Sequence, residues 1–287
     1  MKFDFSIIIP TKNEEKNIEK CLKSILCQTQ RRIEILIVDS LSSDKTILLI
    51  KNLIKKKRND VHIRIIKKNC PAEKAMAYGI HKSKGEIISF LGADDRLYNQ
   101  NTLRYVNKKL DSKKFEILYG SYQIIDEEDN PIKIIKSVKF DRDFILNKEN
   151  YICATSLFFK KTIFNKVKKS LDDGYDFAFI LKYSKHIKFL KTGKILSMFK
   201  IHEMSNSTNF YKNLINIKKD YFISKKYGGK FLNNYHRRYL IIKILSNLNL
   251  LWIAELKRKF SLKKLLNRNI NFKKNSKDVK DRILQKV

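Results

Sequence analysis

The feature that most constrains the fold of this chain is a short apolar segment close to its start. Residues 6–10 read Ser-Ile-Ile-Ile-Pro, and the polar stretch 11–15 follows the proline at once. A continuous apolar run closed by a proline is typical of a strand buried on both faces, as the strands of a parallel sheet are. After this run, apolar residues recur at helical spacing from Ile18 to Leu26. The chain therefore begins with a strand and then a helix.

The same alternation continues through the first third of the chain. Further strands are predicted at 33–38, 63–66 and 87–91, with helices over 47–54 and 72–81 between them. Three strand–helix units followed by another strand, joined by short links, predict a Rossmann-like α/β fold. We expect a mainly parallel central sheet with helices on both faces.

The pattern changes after Asp95, where shorter elements indicate a mixed-sheet extension of the same domain. Helices are predicted at 102–110 and 176–183, and strands at 117–119, 122–125, 132–135, 156–159, 187–190 and 195–199. From residue 208 onward the pattern is helical. We therefore divide the chain into residues 1–207, with a first half at 1–98 and a second half at 99–207, and a basic helical region at 208–287.

The charge of the chain is strongly positive. It carries 62 Lys and Arg against 29 Asp and Glu among 287 residues, a net charge of +33, and about half of that excess lies in residues 208–287. This balance favours anionic partners, namely phosphorylated substrates, nucleic acid or an acidic membrane face. A composition rich in Lys, Asn and Ile throughout is the competing explanation. The four cysteines lack zinc-binding spacing, and no signal peptide or membrane-spanning stretch is apparent, so we expect a cytoplasmic protein with reduced thiols.

Polar residues follow three of the predicted strands at the point where each strand ends. They are Pro10–Glu14, Asp39–Ser40 and Gly92–Asp95. Ligands of an open parallel sheet bind beyond the carboxyl ends of its strands, so we expect these segments to meet at one crevice. The chain has neither a Gly-x-Gly-x-x-Gly loop nor a Walker A sequence. Carboxylates can instead hold a diphosphate through Mg²⁺ or Mn²⁺.

Four segments in order resemble the family 2 glycosyltransferases. They are 6–14, 38–46, 75–79 and 85–95, and the resemblance extends over about residues 3–205. It implies a GT-A fold and inverting transfer from a nucleotide-sugar donor, most often a UDP-sugar. In such a fold residues 1–98 would be the nucleotide-binding half and residues 99–207 the acceptor-side half. It also implies roles for single residues: Pro10, Thr11, Glu14 and Asp39 line the nucleoside pocket, Asp94 lies at the ribose, and Asp95 binds Mn²⁺ or Mg²⁺ on the diphosphate. His202 resembles a histidine that completes the metal shell in some members, although a lone loop histidine is more often an ordinary surface residue.

Two glycines depart from the common pattern of that family. Gly92 stands where an aspartate often precedes the metal ligand, as it also does in a Gly-Ala-Asp-Asp branch of the family. Gly174 falls where the general base usually aligns, within Leu171–Phe177. We take Asp173 as the first candidate for the base and Asp176 as the second, while acidic residues that merely stabilise a helix start remain the alternative.

The basic C-terminal region and the overall function leave alternatives open. Residues 239–256 are predicted to form one amphipathic helix beside Lys257–Lys259, which suits either an anionic membrane surface or packing on the catalytic domain. The family resemblance implies a glycan or polyprenyl-diphosphate-linked acceptor, with the protein either in the cytoplasm or peripheral on the cytoplasmic face of the inner membrane. An inactive relative that acts as a partner is a second hypothesis. A nucleic-acid-binding protein is a third, but no nucleic-acid-binding motif supports it, so we expect no nucleic-acid partner.

Overall fold

The computed structural model describes residues 2–55, 60–111, 114–170, 174–202, 210–259 and 261. Its strands are β1 (Phe5–Thr11), β2 (Ile33–Asp39), β3 (Val61–Lys67), β4 (Ile87–Phe90), β5 (Arg96–Leu97), β6 (Ile117–Ile125), β7 (Pro131–Ile135), β8 (Leu157–Lys160) and β9 (Phe189–Lys200). Its helices are α1 (Ile18–Leu26), α2 (Thr46–Lys55), α3 (Ala72–Lys82), α4 (Thr102–Leu110), α5 (Arg142–Asn147), α6 (Ile163–Lys166), α7 (Asp176–Tyr183), α8 (Phe210–Lys226) and α9 (Asn234–Asn247). Residues 251–259 are also helical.

The strands form one sheet in the order β3-β2-β1-β4-β8-β6-β9-β5, with β7 paired to β6. The first four are parallel, as predicted, whereas β8 runs antiparallel to both β4 and β6. The predicted α/β fold, with a parallel first half and a mixed extension, is confirmed.

Helices cover both faces of the parallel part. Ile7 and Ile9 of β1 belong to the core that also contains the apolar residues of α1, α2 and α4. Ile8, which points to the opposite face because side chains alternate along a strand, contacts α3. A β-carbon on Gly79 of that helix would lie 2.4 Å from Ile8 Cγ2, so α3 packs closely on the strand at this point.

The structure corrects several element boundaries. Residues 117–125 form a single strand, and so do 189–200, because Gly120 and Gly193 continue their strands rather than interrupt them. A β-carbon on Gly120 would lie 2.6 Å from Leu196 of β9, so glycine allows these two strands to approach. The short elements β5, α5 and α6 were not predicted.

The C-terminal helical region is also interrupted where a continuous helix was predicted. Helix α9 ends at Asn247, and Asn249 adopts a left-handed conformation with φ 57°. The Leu250 N–H donates to the Leu245 carbonyl at 2.7 Å, an arrangement that closes helix ends. The predicted helix over 239–256 is therefore wrong, since the chain turns at residues 248–250.

The described chain divides into two compact units. The first comprises residues 1–123 and 134–199, and the second comprises 124–133 together with 200–287. The predicted boundary at residues 207 and 208 lies outside the described residues. No helix in the described ranges combines the length and apolarity needed to cross a membrane.

Candidate functional site

The carboxyl ends of β1, β2 and β4 lie at the same edge of the sheet. Thr11 is opposite Asp39 in the parallel pairing of β1 with β2, and the N–H of Ser40 donates to the Thr11 carbonyl at 2.8 Å. Strand β4 is parallel to β1 on its other side, so the segment Gly92–Asp95 leaves the sheet at this edge too. The structure therefore brings together the three polar segments that the sequence predicted would meet.

The loops that follow β1 and β2 are fastened to each other by hydrogen bonds. Asn13 adopts a left-handed conformation with φ 54°, and its side-chain oxygen accepts the Ser43 N–H at 2.9 Å. In return, the N–H of Glu14 donates to the Thr46 hydroxyl at 2.8 Å, and the N–H of Glu15 donates to Asp44 at 3.1 Å. This reciprocal bonding fixes the polar segment after β1 at the rim of the site.

Asp39 is almost fully buried at this rim, with 1% of its surface exposed. Its carboxylate accepts a hydrogen bond from the Ser42 backbone N–H at 3.1 Å and another from the Ser42 hydroxyl. Such bonds orient the carboxylate and satisfy part of its acceptor capacity. Sequence reasoning missed Ser42, although an Asp followed three residues later by Ser is a recognisable turn pattern.

The carboxylates of Asp94 and Asp95 approach each other across Gly92. A β-carbon at Gly92 would lie 2.5 Å from Asp95 Oδ2 and 2.7 Å from Asp94 Oδ1, so both carboxylates use the space that a side chain would fill. Asp95 is 3% exposed. Two acidic groups that share so small a space repel each other unless a cation or hydrogen-bond donors compensate their charge.

The thiol of Cys21, on α1, shows that Glu14 belongs to the same cluster. Its sulfur lies 3.4 Å from the Gly92 carbonyl oxygen. Burial raises the pKa of Cys21 well above its usual value, and the negative charges of Asp95, Asp94 and Glu14 raise it further, while the positive charge of Arg96 opposes them. Three carboxylates therefore lie within electrostatic reach of one thiol, so the β1 loop and the Gly92–Asp95 segment border the same region.

The carboxylate pair fits a divalent cation that also binds a diphosphate. Mg²⁺ and similar hard cations take one or two protein carboxylates and complete their shell with phosphate oxygens and water. Within the described ranges, no group of three or more His, Cys, Asp or Glu side chains could hold a metal by itself. Asp94 and Asp95, which meet in the space left by Gly92, supply the donor set expected of a site that the ligand completes.

Asp176 lies at the start of α7, where its carboxylate accepts the Phe177 N–H at 2.7 Å. Burial raises the pKa of Cys153 to about 12, and the carboxylates of Asp95 and Asp176 both add to the increase. The thiol of Cys153 is thus within electrostatic reach of both residues. Asp176 and the Asp94/Asp95 pair consequently border the same region of the first unit, a relation that the sequence did not reveal.

The other two predicted residues are less defined. Asp173 lies outside the described residues, as do its neighbours 171 and 172. Gly174 packs so tightly on α3 that a β-carbon would fall 1.7 Å from the Glu73 carbonyl oxygen. An acidic side chain would not fit at that position, so Gly174 reflects the packing of α7 against α3. His202, two residues beyond β9, lies in the second unit, and its metal role stays a prediction.

Residues 6–187 match the family model described as glycosyl transferase family 2, which covers more than half of the chain. The chain belongs to this family. It is 30% identical over 230 residues to an uncharacterized glycosyltransferase of Haemophilus influenzae, covering 78% of this chain and 89% of that protein. It spans only 19–21% of several longer glycosyltransferase relatives from Rickettsia.

Solved structures show the same fold. A mannosyltransferase from Pyrobaculum calidifontis, in complex with GDP-Man and Mn²⁺, superposes with a TM-score of 0.59 at 16% identity, over 88% of this chain and 72% of that one. TarS from S. aureus, in complex with UDP-GlcNAc, gives 0.53 at 15% identity, over 78% and 71%. These likenesses confirm the predicted GT-A fold, and the family membership confirms a glycosyltransferase.

Proposed function

We propose that this family 2 glycosyltransferase is an inverting enzyme that transfers a sugar from a UDP-sugar to the hydroxyl of a glycan or of a lipid-linked glycan. The observation that carries the proposal is the convergence of the three strand ends. Asp39, Glu14 and the Asp94/Asp95 pair meet at one edge of the sheet although they are far apart in sequence. This edge is where ligands of open α/β sheets bind.

The donor is bound by side chains that serve different parts of the nucleotide. Pro10, Thr11, Glu14 and Asp39 surround the nucleoside, and the buried carboxylate of Asp39 accepts a hydrogen bond from an N–H of the base. Asp94 accepts hydrogen bonds from the ribose. The hydrogen bonds between the loops after β1 and β2, around Asn13, support this assignment. A rim that is already rigid loses little conformational entropy when the nucleotide binds.

Asp95 holds Mn²⁺ or Mg²⁺ against the diphosphate. The bound cation would stabilise the negative charge that grows on the departing diphosphate. We also propose His202 as a second metal ligand, and this role rests on the family resemblance of the sequence alone. The chain itself supplies the buried position of Asp95 and the space that Gly92 leaves for the two carboxylates.

The acceptor hydroxyl needs a general base on the side of the sugar opposite the diphosphate. In a single displacement, the acceptor oxygen bonds to the anomeric carbon, the bond from that carbon to the diphosphate breaks, and the hydroxyl proton passes to a carboxylate. Asp173 and Asp176 are the two candidates. Asp176 is supported because it and Asp95 both influence the thiol of Cys153. Asp173 is supported by its position in the sequence, next to the residue that aligns with the usual base.

A polyprenyl-diphosphate-linked sugar is the acceptor class that we propose among lipid-linked glycans. A catalytically inactive relative is the second candidate, and Gly174 is the observation that favours it, because the usual position of the base carries no side chain. Donor turnover distinguishes the two functions, since an inactive relative binds the donor without transfer or slow hydrolysis.

The donor site is tested by Asp95→Asn, with Glu128→Gln as a control that removes an exposed carboxylate on the turn between β6 and β7. We expect Asp95→Asn to weaken Mn²⁺-dependent UDP binding at least tenfold in titration calorimetry, because the cation loses a charged ligand. Glu128→Gln should bind as the unaltered chain does. Equal affinity in Asp95→Asn and the control would contradict the site.

The base is tested by comparing Asp173→Asn with Asp176→Asn. The variant that lacks the proton-accepting residue should still bind UDP, but its rate of sugar transfer should fall by about 10²–10⁴-fold. The measurement is sugar transfer or donor hydrolysis across a panel of UDP- and GDP-sugars. Full activity in both variants would refute a base in this segment, whereas binding with no turnover in the unaltered chain would favour the inactive relative.

A further inference from the structure

The second unit exposes an unusual number of large apolar side chains. Of the fifteen large hydrophobic residues that are most exposed in the described chain, ten lie between residues 215 and 256. Over the same stretch only Ile217 and Tyr235 are buried apolar side chains. Scattered apolar residues are normal on a surface, but a concentration of this kind marks an interaction site.

We group six of these residues, on α9, its cap and helical residues 251–259, under the name α9 apolar surface. They are Ile241, Ile244, Leu248, Trp252, Ile253 and Leu256, which are 42–60% exposed. Positions 241, 244 and 248 recur every three or four residues on α9 and its cap, and so share one face of that helix. Positions 252 and 256 do the same on helical residues 251–259.

Basic side chains accompany this apolar surface. Residues 234–259 contain six Lys and Arg and a single acid, Glu255, which pairs with Lys259 at 3.0 Å. Lys243 lies on α9 between the exposed isoleucines, and residues 257–259 are all basic. Burial lowers the pKa of Arg258 and the nearby positive charge of Arg238 lowers it further, so the segment brings two guanidinium groups close together.

We propose that the α9 apolar surface docks on an anionic phospholipid bilayer, lying in the interface. Helix α9 has 14 residues and is therefore about 21 Å long, less than the ~30 Å hydrocarbon core that a spanning helix must cross. Apolar side chains beside Lys and Arg suit the boundary between headgroups and acyl chains. Trp252 adds a ring type that is enriched at that depth.

Charge decides between a bilayer and a second copy of this chain. Two copies that meet through this surface would bring together segments that each carry an excess of five positive charges, which repel at close range. An anionic leaflet attracts the same segments, and each basic residue near it strengthens binding about fivefold. The inference does not depend on the proposed enzymatic function.

The chain contains a single tryptophan, Trp252, so fluorescence excited selectively at tryptophan, and not at the tyrosines, reports on this surface alone. With the full chain, we expect a blue shift and co-sedimentation when vesicles of phosphatidylcholine containing about 30% phosphatidylglycerol are added. Pure phosphatidylcholine vesicles should bind at least tenfold more weakly, and added NaCl should release the protein from the anionic ones. Absence of the shift, or equal binding to both vesicles, would overturn the proposal.

Matched variants localise the effect. Ile244→Ser combined with Leu248→Ser should reduce binding to the anionic vesicles at least tenfold, while Leu48→Ser, an equally exposed leucine on α2, should leave it unchanged. Lys243→Gln should weaken binding about fivefold, against Lys51→Gln on α2 as the control. Circular dichroism checks that each variant is folded. A fluorescence shift that instead follows protein concentration without lipid, with dimers in sedimentation, would overturn the proposal in favour of self-association.

Discussion

At residue 92, the missing side chain determines how the two carboxylates of the site are arranged. The hypothetical β-carbon would lie within 2.7 Å of oxygens from both Asp94 and Asp95. The colliding atoms are the ends of flexible side chains, so the collision would displace the carboxylates rather than the backbone. Gly92 therefore matters for ligand binding more than for folding.

Gly92→Ala should consequently weaken Mn²⁺-dependent UDP binding about tenfold and change the free energy of unfolding by less than about 1 kcal/mol. Titration calorimetry and urea unfolding measure the two effects. Gly193→Ala is the matched control, because a β-carbon at Gly193 meets nothing within 4 Å. A large loss of stability with intact binding would show that Gly92 serves the fold instead.

At the level of single elements, β2 carries a buried charge in an otherwise apolar strand. The Glu34 side chain is fully buried and accepts hydrogen bonds from the Ser6 hydroxyl at 2.5 Å and the Lys84 N–H at 2.8 Å. Arg64 of β3 forms an ion pair with it at 3.1 Å. The side chain thus links β1, β2 and the middle of β3 to the turn before β4, on the side of the sheet away from the site.

Glu34→Ala should lower the free energy of unfolding by about 2–4 kcal/mol, since it leaves the donors of Ser6 and Lys84 without an acceptor and creates a small cavity. Glu34→Gln keeps an acceptor for Ser6 and Lys84 and loses only the charge opposite Arg64, so its loss should be smaller. Urea unfolding at pH 7 gives both values. Losses of equal size would mean that the ion pair, and not the hydrogen bonding, holds these strands together.

At the scale of the whole molecule, buried thiols and phenols make the folded state less stable at alkaline pH. Burial raises the pKa of Cys21, Cys153, Tyr119 and Tyr122, and nearby negative charges raise that of Cys21 further. A raised pKa means that the folded state keeps a proton that the unfolded state releases. The corresponding stability is complete below the unfolded pKa, near 9 for a thiol, and is lost as the pH rises toward the folded value.

The free energy of unfolding should therefore fall between pH 8 and 10.5, with each buried thiol contributing up to about 1.4 kcal/mol per pH unit above pH 9. Cys21→Ala should make this fall shallower, because the variant lacks a thiol that burial, and then the nearby carboxylates, keep protonated in the folded state. Cys27→Ala, at the end of the same helix but exposed, should leave the slope unchanged. Parallel slopes for Cys21→Ala and the unaltered chain would contradict the assignment.

Local patterns were sufficient for elements whose burial repeats along the chain. The helix predicted at 176–183 is α7, and the four parallel strands lie where apolar runs placed them, because periodic burial is written in adjacent residues. Patterns failed where one contact or one backbone angle decides the outcome. Gly120 continues β6 since β9 approaches it, and Asn249 ends α9 by adopting a left-handed conformation.

The amino-acid order alone determined the α/β alternation, the acidic strand ends and the family resemblance, because each depends on residues that are neighbours in the chain. The tertiary structure decided which residues that are distant in sequence lie close together. It placed Glu14, Asp94 and Asp95 around Cys21, put Asp176 within reach of the thiol that Asp95 also influences, and pressed Gly174 onto α3. These relations join residues tens to about a hundred positions apart, and only the packing of the whole sheet and its helices fixes such distances.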